Sequence, residues 1–191
     1  MTTLTRFAEP ARRTIIRAGT LASDYGRGML STEFFLLALA ENQPLSRPVD
    51  LGITAAMIRA EIEARTHARR DRDLLATLGI DLDEVRRRVL DGTSTRLDDP
   101  CLWQLRRSPV RPLRVTLSGP AAEIVLDQSG RKVIEVAQWA SRRGHRTLTD
   151  REDLLWGLLA DAASESVQIL RRGNVDLRRL WTDLQHWHRS A

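Results

Sequence analysis

Apolar residues recur along most of the chain at spacings of three and four, the period of one buried helical face, and nothing reads as a run of strands. From Pro10 onward Ala11, Ile15, Ala18 and Ala22 line one side of a helix with arginines between them, and Gly26 and Gly28 break it. Proline is tolerated in that first turn because the amide it lacks would have had no intrahelical partner. Ser31-Thr32-Glu33 then leads into Phe34-Phe35-Leu36-Leu37-Ala38-Leu39. A hydroxyl cap and an acid ahead of a run that is apolar nearly all round predict a buried helix.

The pattern occurs twice. Leu126 to Leu158 lies over Phe7 to Leu39 without a gap at a shift of 119 positions, which places Ile15 on Ile134, Ala18 on Ala137, Arg27 on Arg146, Glu33 on Glu152 and Leu36 on Leu155. Thr149-Asp150-Arg151-Glu152 has the spacing of a capping box for the second buried helix. A shorter pattern recurs three times: Leu51-Gly52-Ile53-Thr54, Leu78-Gly79-Ile80-Asp81-Leu82 and Gly173-Asn174-Val175-Asp176-Leu177. A glycine stop, an apolar residue and a Thr or Asp cap start helices over Ala55 to Arg65, Leu82 to Leu90 and Leu177 to Trp187.

Between the copies, Gly92 to Gly119 carries Pro100, Pro109, Pro112, Arg106, Arg107, Arg111 and Arg114 among few periodic apolar residues, and reads as a linker. Trp103, with Leu102 and Leu105, fits a short helical anchor docked on one repeat. Pro120 to Val125 either ends the linker or begins the long helix of the second copy. The expectation is an all-α protein of about nine or ten helices in two pseudo-symmetric four-helix repeats packed as one domain. Residues 1–91 would form the first repeat with an extra turn-helix, 92–118 an Arg/Pro-rich linker, and 119–191 the second repeat.

Composition narrows the function. The 191 residues carry 30 basic and 25 acidic side chains, a net charge of +5. The pI of about 10.7 partly reflects a preference for arginine, since Lys132 is the one lysine. Acids alternate closely with the bases, so the surface is mixed and nucleic-acid binding is the secondary reading. Its carriers would be the arginine-rich linker and a helix-turn-helix such as Asp73 to Leu90. Lys132 lies between Arg131 and Val133, so no Gly-Lys-Ser/Thr phosphate loop exists, and neither Gly-x-Ser-x-Gly nor His-Glu-x-x-His occurs. His186 and His188 point about 200° apart on a helix, which does not make a metal pair. Cys101, alone, permits no intramolecular disulfide and reads as a small apolar group. The longest apolar run, Phe34 to Ala40, is too short to span a membrane, and no apolar signal region opens the chain; the expected compartment is the cytoplasm.

Phe7-Ala8-Glu9-Pro10-Ala11-Arg12-Arg13, Ser31-Thr32-Glu33-Phe34-Phe35-Leu36-Leu37-Ala38-Leu39, Gly144-His145, Glu152-Asp153-Leu154-Leu155-Trp156-Gly157-Leu158-Leu159 and the glycine turns stand in a characteristic order. They resemble the double Clp N-terminal repeat at the front of ClpC-type AAA+ unfoldases. The resemblance covers most of the chain outside the linker and the extra turn-helix. With no phosphate loop, it implies a stand-alone Clp N-domain protein without ATPase modules, non-enzymatic and without a cofactor. Such a protein would act as adaptor or decoy toward Clp unfoldase and protease components, their substrates or their adaptors. In the family the glutamate of the Thr-Glu-His box holds the guanidinium of phosphoarginine; Glu33 and Glu152 match it by position, with Thr32 the threonine of the first box. A carboxylate can take a guanidinium in two parallel bonds, and it can equally cap a helix. The family threonine on the phosphate side is replaced by Ala8 and Asp127, leaving Arg12, Arg13, Arg131 and Lys132 as candidate phosphate partners.

Overall fold

The computed structural model describes residues 4–42, 44–46, 48–67, 102–108, 115–119 and 123–190. A 3-10 turn (Leu4–Arg6) leads into α1 (Glu9–Asp24), β1 (Met29–Leu30), α2 (Thr32–Glu41) and α3 (Ala55–His67). Strands β2 (Gln104–Arg107), β3 (Val115–Ser118) and β4 (Glu123–Leu126) follow, and then α4 (Gln128–Arg143), α5 (Arg151–Leu159), α6 (Glu165–Arg172) and α7 (Leu177–Ser190). The predicted helix over Leu82 to Leu90, the turn at Gly79, the helix-turn-helix candidate and Cys101 lie outside the described residues.

The long helices start and stop where the pattern places them. Pro10 stands in the first turn of α1, which ends at Tyr25 before Gly26 turns the backbone left-handed at φ +68°. α2 is buried at every position from Phe34 to Ala40, each large side chain contributing about 1.5–3 kcal/mol of burial. Thr54 and Asp176 cap the helices that follow them: the Thr54 hydroxyl takes the Met57 N–H at 3.3 Å, and Asp176 Oδ1 takes the Arg178 and Arg179 N–H groups at 3.0 Å each.

The all-α expectation is overturned by a four-stranded mixed sheet in the middle of the molecule, ordered β1-β4-β3-β2. β1 runs parallel to β4, and β4 with β3 and β3 with β2 are antiparallel. Two of the strands lie within the segment expected to be a linker, and β4 begins at Glu123, within the stretch 120–125 expected to end the linker or begin the long helix. Strands of two to four residues are too short to display a period, and prolines mask the signal further. Trp103 anchors this hairpin at the entrance of β2 rather than from a helix; it is buried against α1, where a Cβ on Gly19 would stand 2.5 Å from Leu117 Cδ2 and 3.6 Å from the indole.

The four-helix repeat is also incomplete in the first copy. Among the described residues, 44–54 hold no helix, whereas the corresponding stretch of the second copy forms α6. Pro44 and Pro48 remove two amide donors that a helix over this stretch would need.

The two copies are nevertheless joined by matching exchanges. Leu30 pairs with Leu126 in the sheet, and Phe7 pairs in parallel with Thr149. Asp127 N–H donates to the Leu30 carbonyl at 3.1 Å, and Ala8 N–H donates to the Thr149 carbonyl at 2.9 Å. The shift of 119 positions converts each of these pairs into the other, so the halves are related by a pseudo-two-fold axis. Left-handed residues repeat too: at the shift of 119 Gly26 at φ +68° corresponds to His145 at φ 55°, and in the shorter turn pattern, 122 positions apart, Gly52 at φ +65° corresponds to Asn174 at φ 54°.

Candidate functional site

α2 begins in a cleft of about 400 Å³, walled by the turn at Arg27, Gly28 and Met29, by Ile62 and Arg65 of α3, and by Glu165 and Ile169 of α6. Ser31, Glu33 and Asp127 complete the lining. Glu33 Oε2 is buried and accepts no hydrogen bond among the described residues. Ser31 occupies the cap position of α2 with an extended backbone, yet its hydroxyl makes no cap bond, so the first-turn amides have no side-chain acceptor there. Asp127 caps α4 instead, its Oδ1 taking Gly130 N–H at 2.6 Å and the Ser129 hydroxyl at 2.8 Å. Arg65 is paired with Glu165 and Glu61. The cleft therefore sets three carboxylates and two guanidinium groups around an isoleucine floor.

The pseudo-symmetric copy of this site is shut. Glu152, in the position of Glu33, is 1% exposed and accepts the Ser46 N–H through Oε1 at 2.7 Å; its Oε2, like that of Glu33, is buried with no partner among the described residues, so the two sites differ in access. Arg151 fastens the same loop by donating to the Asn42 carbonyl at 2.5 Å and the Pro44 carbonyl at 3.1 Å. Arg146, in the position of Arg27, is gripped by Asp153 through bonds of 2.9 and 2.6 Å. Burial pushes the Asp153 carboxyl up from its ordinary value, against the opposing pull of Arg146 and of the Asp150 N–H. The capping box of α5 is formed by Asp150 and Asp153, one residue later than the Thr149 and Glu152 spacing indicated. Thr149 is instead buried, with its hydroxyl 3.1 Å from that of Ser141.

Of the residues singled out in the sequence, only Glu33 lines the open cleft. Thr32 is buried and its hydroxyl accepts Ser166 N–H at 3.2 Å, a tie between α2 and α6. Arg12 and Arg13 both bond Glu9 on the outside of α1, at 2.5 and 2.9 Å. Arg131 stands 3.7 Å from Glu135, and Lys132 pairs with Asp161 at 3.2 Å. None of these four bases is in the lining. The cleft residues that motif reading did not select, Arg27, Arg65 and Glu165, come from three separate elements. Of them, Arg27 alone carried a sequence signal, through its correspondence with Arg146.

No family model and no curated protein matches the sequence. Solved structures do match. The N-terminal domain of the caseinolytic protease associated chaperone ClpD from Arabidopsis thaliana is 18% identical, with a TM-score of 0.54 over 97% of this chain and 96% of that one. A chain from a malarial protein secretion system is 15% identical, with a TM-score of 0.57 over 96% and 95%. The Hsp104 N-terminal domain from Candida albicans is 14% identical, with a TM-score of 0.49 over 93% and 88%. The chain has the fold of a Clp N-terminal domain.

Proposed function

We propose that this chain is a non-enzymatic protein-binding module of a Clp-type system, an adaptor or decoy that captures arginine-bearing segments of substrates or partners in the cleft at Glu33. The observation that supports this most is the Glu33 carboxylate itself, buried at one oxygen and unsatisfied, in an open cleft of a fold shared with the ClpD N-terminal domain. A planar guanidinium answers such a carboxylate with two parallel N–H bonds. Ile62 and Ile169 offer its methylene stem an apolar bed. A phosphate on that guanidinium would meet the uncapped first turn of α2 on one side and the Asp127 carboxylate on the other. In this reading the protein works in the cytoplasm; no helix among the described residues is long and apolar enough to cross a membrane.

Calorimetric titration of the purified full chain with an arginine peptide and with its phosphoarginine counterpart tests the proposal. We expect saturable binding of at least one of them, abolished in Glu33→Ala. The ratio of the two affinities reports whether Asp127 excludes the phosphate. A folded protein that binds neither peptide, or binds unchanged after Glu33→Ala, refutes the reading.

A further inference from the structure

Four of the five tryptophans, Trp139, Trp156, Trp181 and Trp187, belong to the second repeat, on the side built by α4, α5 and α7. None is buried. Trp156 and Trp181 lie with ring centroids 4.4 Å apart, and the His188 ring is 5.1 Å from that of Trp156. Arg146 sits over Trp187 at 4.4 Å, and Arg143 over Trp139 at 5.2 Å. Among the described residues Trp139 remains 45% exposed.

We propose that this tryptophan-arginine face docks an acidic, leucine-bearing segment of a partner protein. Its hydrogen-bonding chemistry is mostly that of donors. Indole and guanidinium groups only donate. Arginine cannot accept, so the 3.0 Å contact between Arg146 Nη2 and His188 Nδ1 makes that nitrogen the acceptor and leaves the proton on Nε2, a further donor. The acid nearest to Arg146, Asp153, is fully buried beneath it, and Asp183 stands 3.9 Å from Arg179. The exposed charged residues at the C-terminal ends of α4 and α7 are Arg142, Arg143 and Arg189, against one exposed carboxylate, Glu135, a turn before Trp139 on α4. A surface mostly of donors and rings calls for a partner of carboxylates interleaved with apolar side chains. Nucleic acid fits less well: Trp156 lies against Trp181, and Arg146 and Arg143 each lie over one face of Trp187 and Trp139, which leaves separate ring faces rather than a continuous stacking platform.

The test uses the intrinsic fluorescence of these tryptophans in the full chain. The probes are a synthetic peptide alternating glutamate with leucine, the same peptide with lysine for glutamate, and a single-stranded oligothymidylate. We expect a saturable spectral change with the glutamate peptide, an affinity loss of about tenfold in the Trp139→Ala/Arg143→Glu variant, and no loss in Glu33→Ala. Both substituted positions are exposed, and circular dichroism checks that the variant is folded. Equal binding of the lysine peptide, tighter binding of the oligonucleotide, an unaffected double variant or no saturable change overturns the proposal. Because Glu33→Ala separates this face from the cleft, either site can fail without the other.

Discussion

At the scale of single residues, Glu33 and Glu152 show how one side chain in two equivalent positions takes two fates. The loop at Asn42 to Ser46 folds onto α5 and gives Glu152 a backbone donor, while Glu33 faces a cleft. Replacing Glu152 by alanine strands the Ser46 amide and should lower stability by about 1–3 kcal/mol in urea unfolding. Glu33→Ala should leave the unfolding midpoint unchanged. His188 carries a pH prediction. Burial first, then Arg146 and Arg143, hold its pKa below the ordinary 6.5. The folded state thus binds fewer protons than the unfolded chain, so the contribution of neutral His188 is intact above pH 6.5 and is lost as the pH falls below it. Thermal unfolding at pH 7 and pH 5 should show a smaller drop in His188→Gln than in the unsubstituted protein. Both glutamates stood out through their match by position to the Thr-Glu-His box of the family the sequence resembles, while their place before an apolar run spoke equally for helix caps. The sequence pattern misplaced the cap of α5 because two boxes overlap there: Thr149 with Glu152 and Asp150 with Asp153 have the same spacing, and only burial of Thr149 against Phe7 decides between them.

At the scale of elements, helices of eight to sixteen residues repeat their pattern often enough to be read, and strands of two to four do not. Val115, Leu117, Ile124 and Leu126 are buried in the sheet, but each strand shows only one or two such positions. What holds the hairpin is tertiary: Trp103 over Gly19 and Gly119. Trp103→Ala should cost about 3–5 kcal/mol by the loss of that buried ring, measured by denaturant unfolding. Close approach between α4 and α5 rests on Gly157, where a Cβ would meet the Val133 carbonyl oxygen at 2.4 Å. Gly157→Ala should therefore destabilise by about 1–3 kcal/mol, whereas Gly28→Ala, with nothing within 4 Å, should show no comparable steric penalty. The missing counterpart of α6 in the first copy follows from Pro44 and Pro48, a local signal that the repeat pattern outweighed in the sequence reading.

At the scale of the whole molecule, the shift of 119 positions is a property of the sequence, but the contacts it generates are not. Leu30 with Leu126 and Phe7 with Thr149 cross between copies, so neither half completes its own sheet or bridge without the other. The cleft is composite for the same reason: Glu33 comes from the first copy and Asp127, Glu165 and Ile169 from the second. Motif reading, which searches one copy at a time, collected Arg12, Arg13, Arg131 and Lys132 around the glutamates, and the fold turns those bases to other partners. Departure from symmetry then leaves one copy of the site open and the other closed by the Asn42 to Ser46 loop. The most direct measurement is a two-dimensional amide NMR titration of the full chain with the arginine peptide and, separately, with its phosphoarginine counterpart, read for whichever of them binds. One saturable site is predicted, with shifts at Arg27, Gly28, Ser31 and Glu33 and none at Arg146 and Glu152. Shifts centred on Glu152, or no shifts in a folded protein, would contradict a single arginine-binding cleft built between the two repeats.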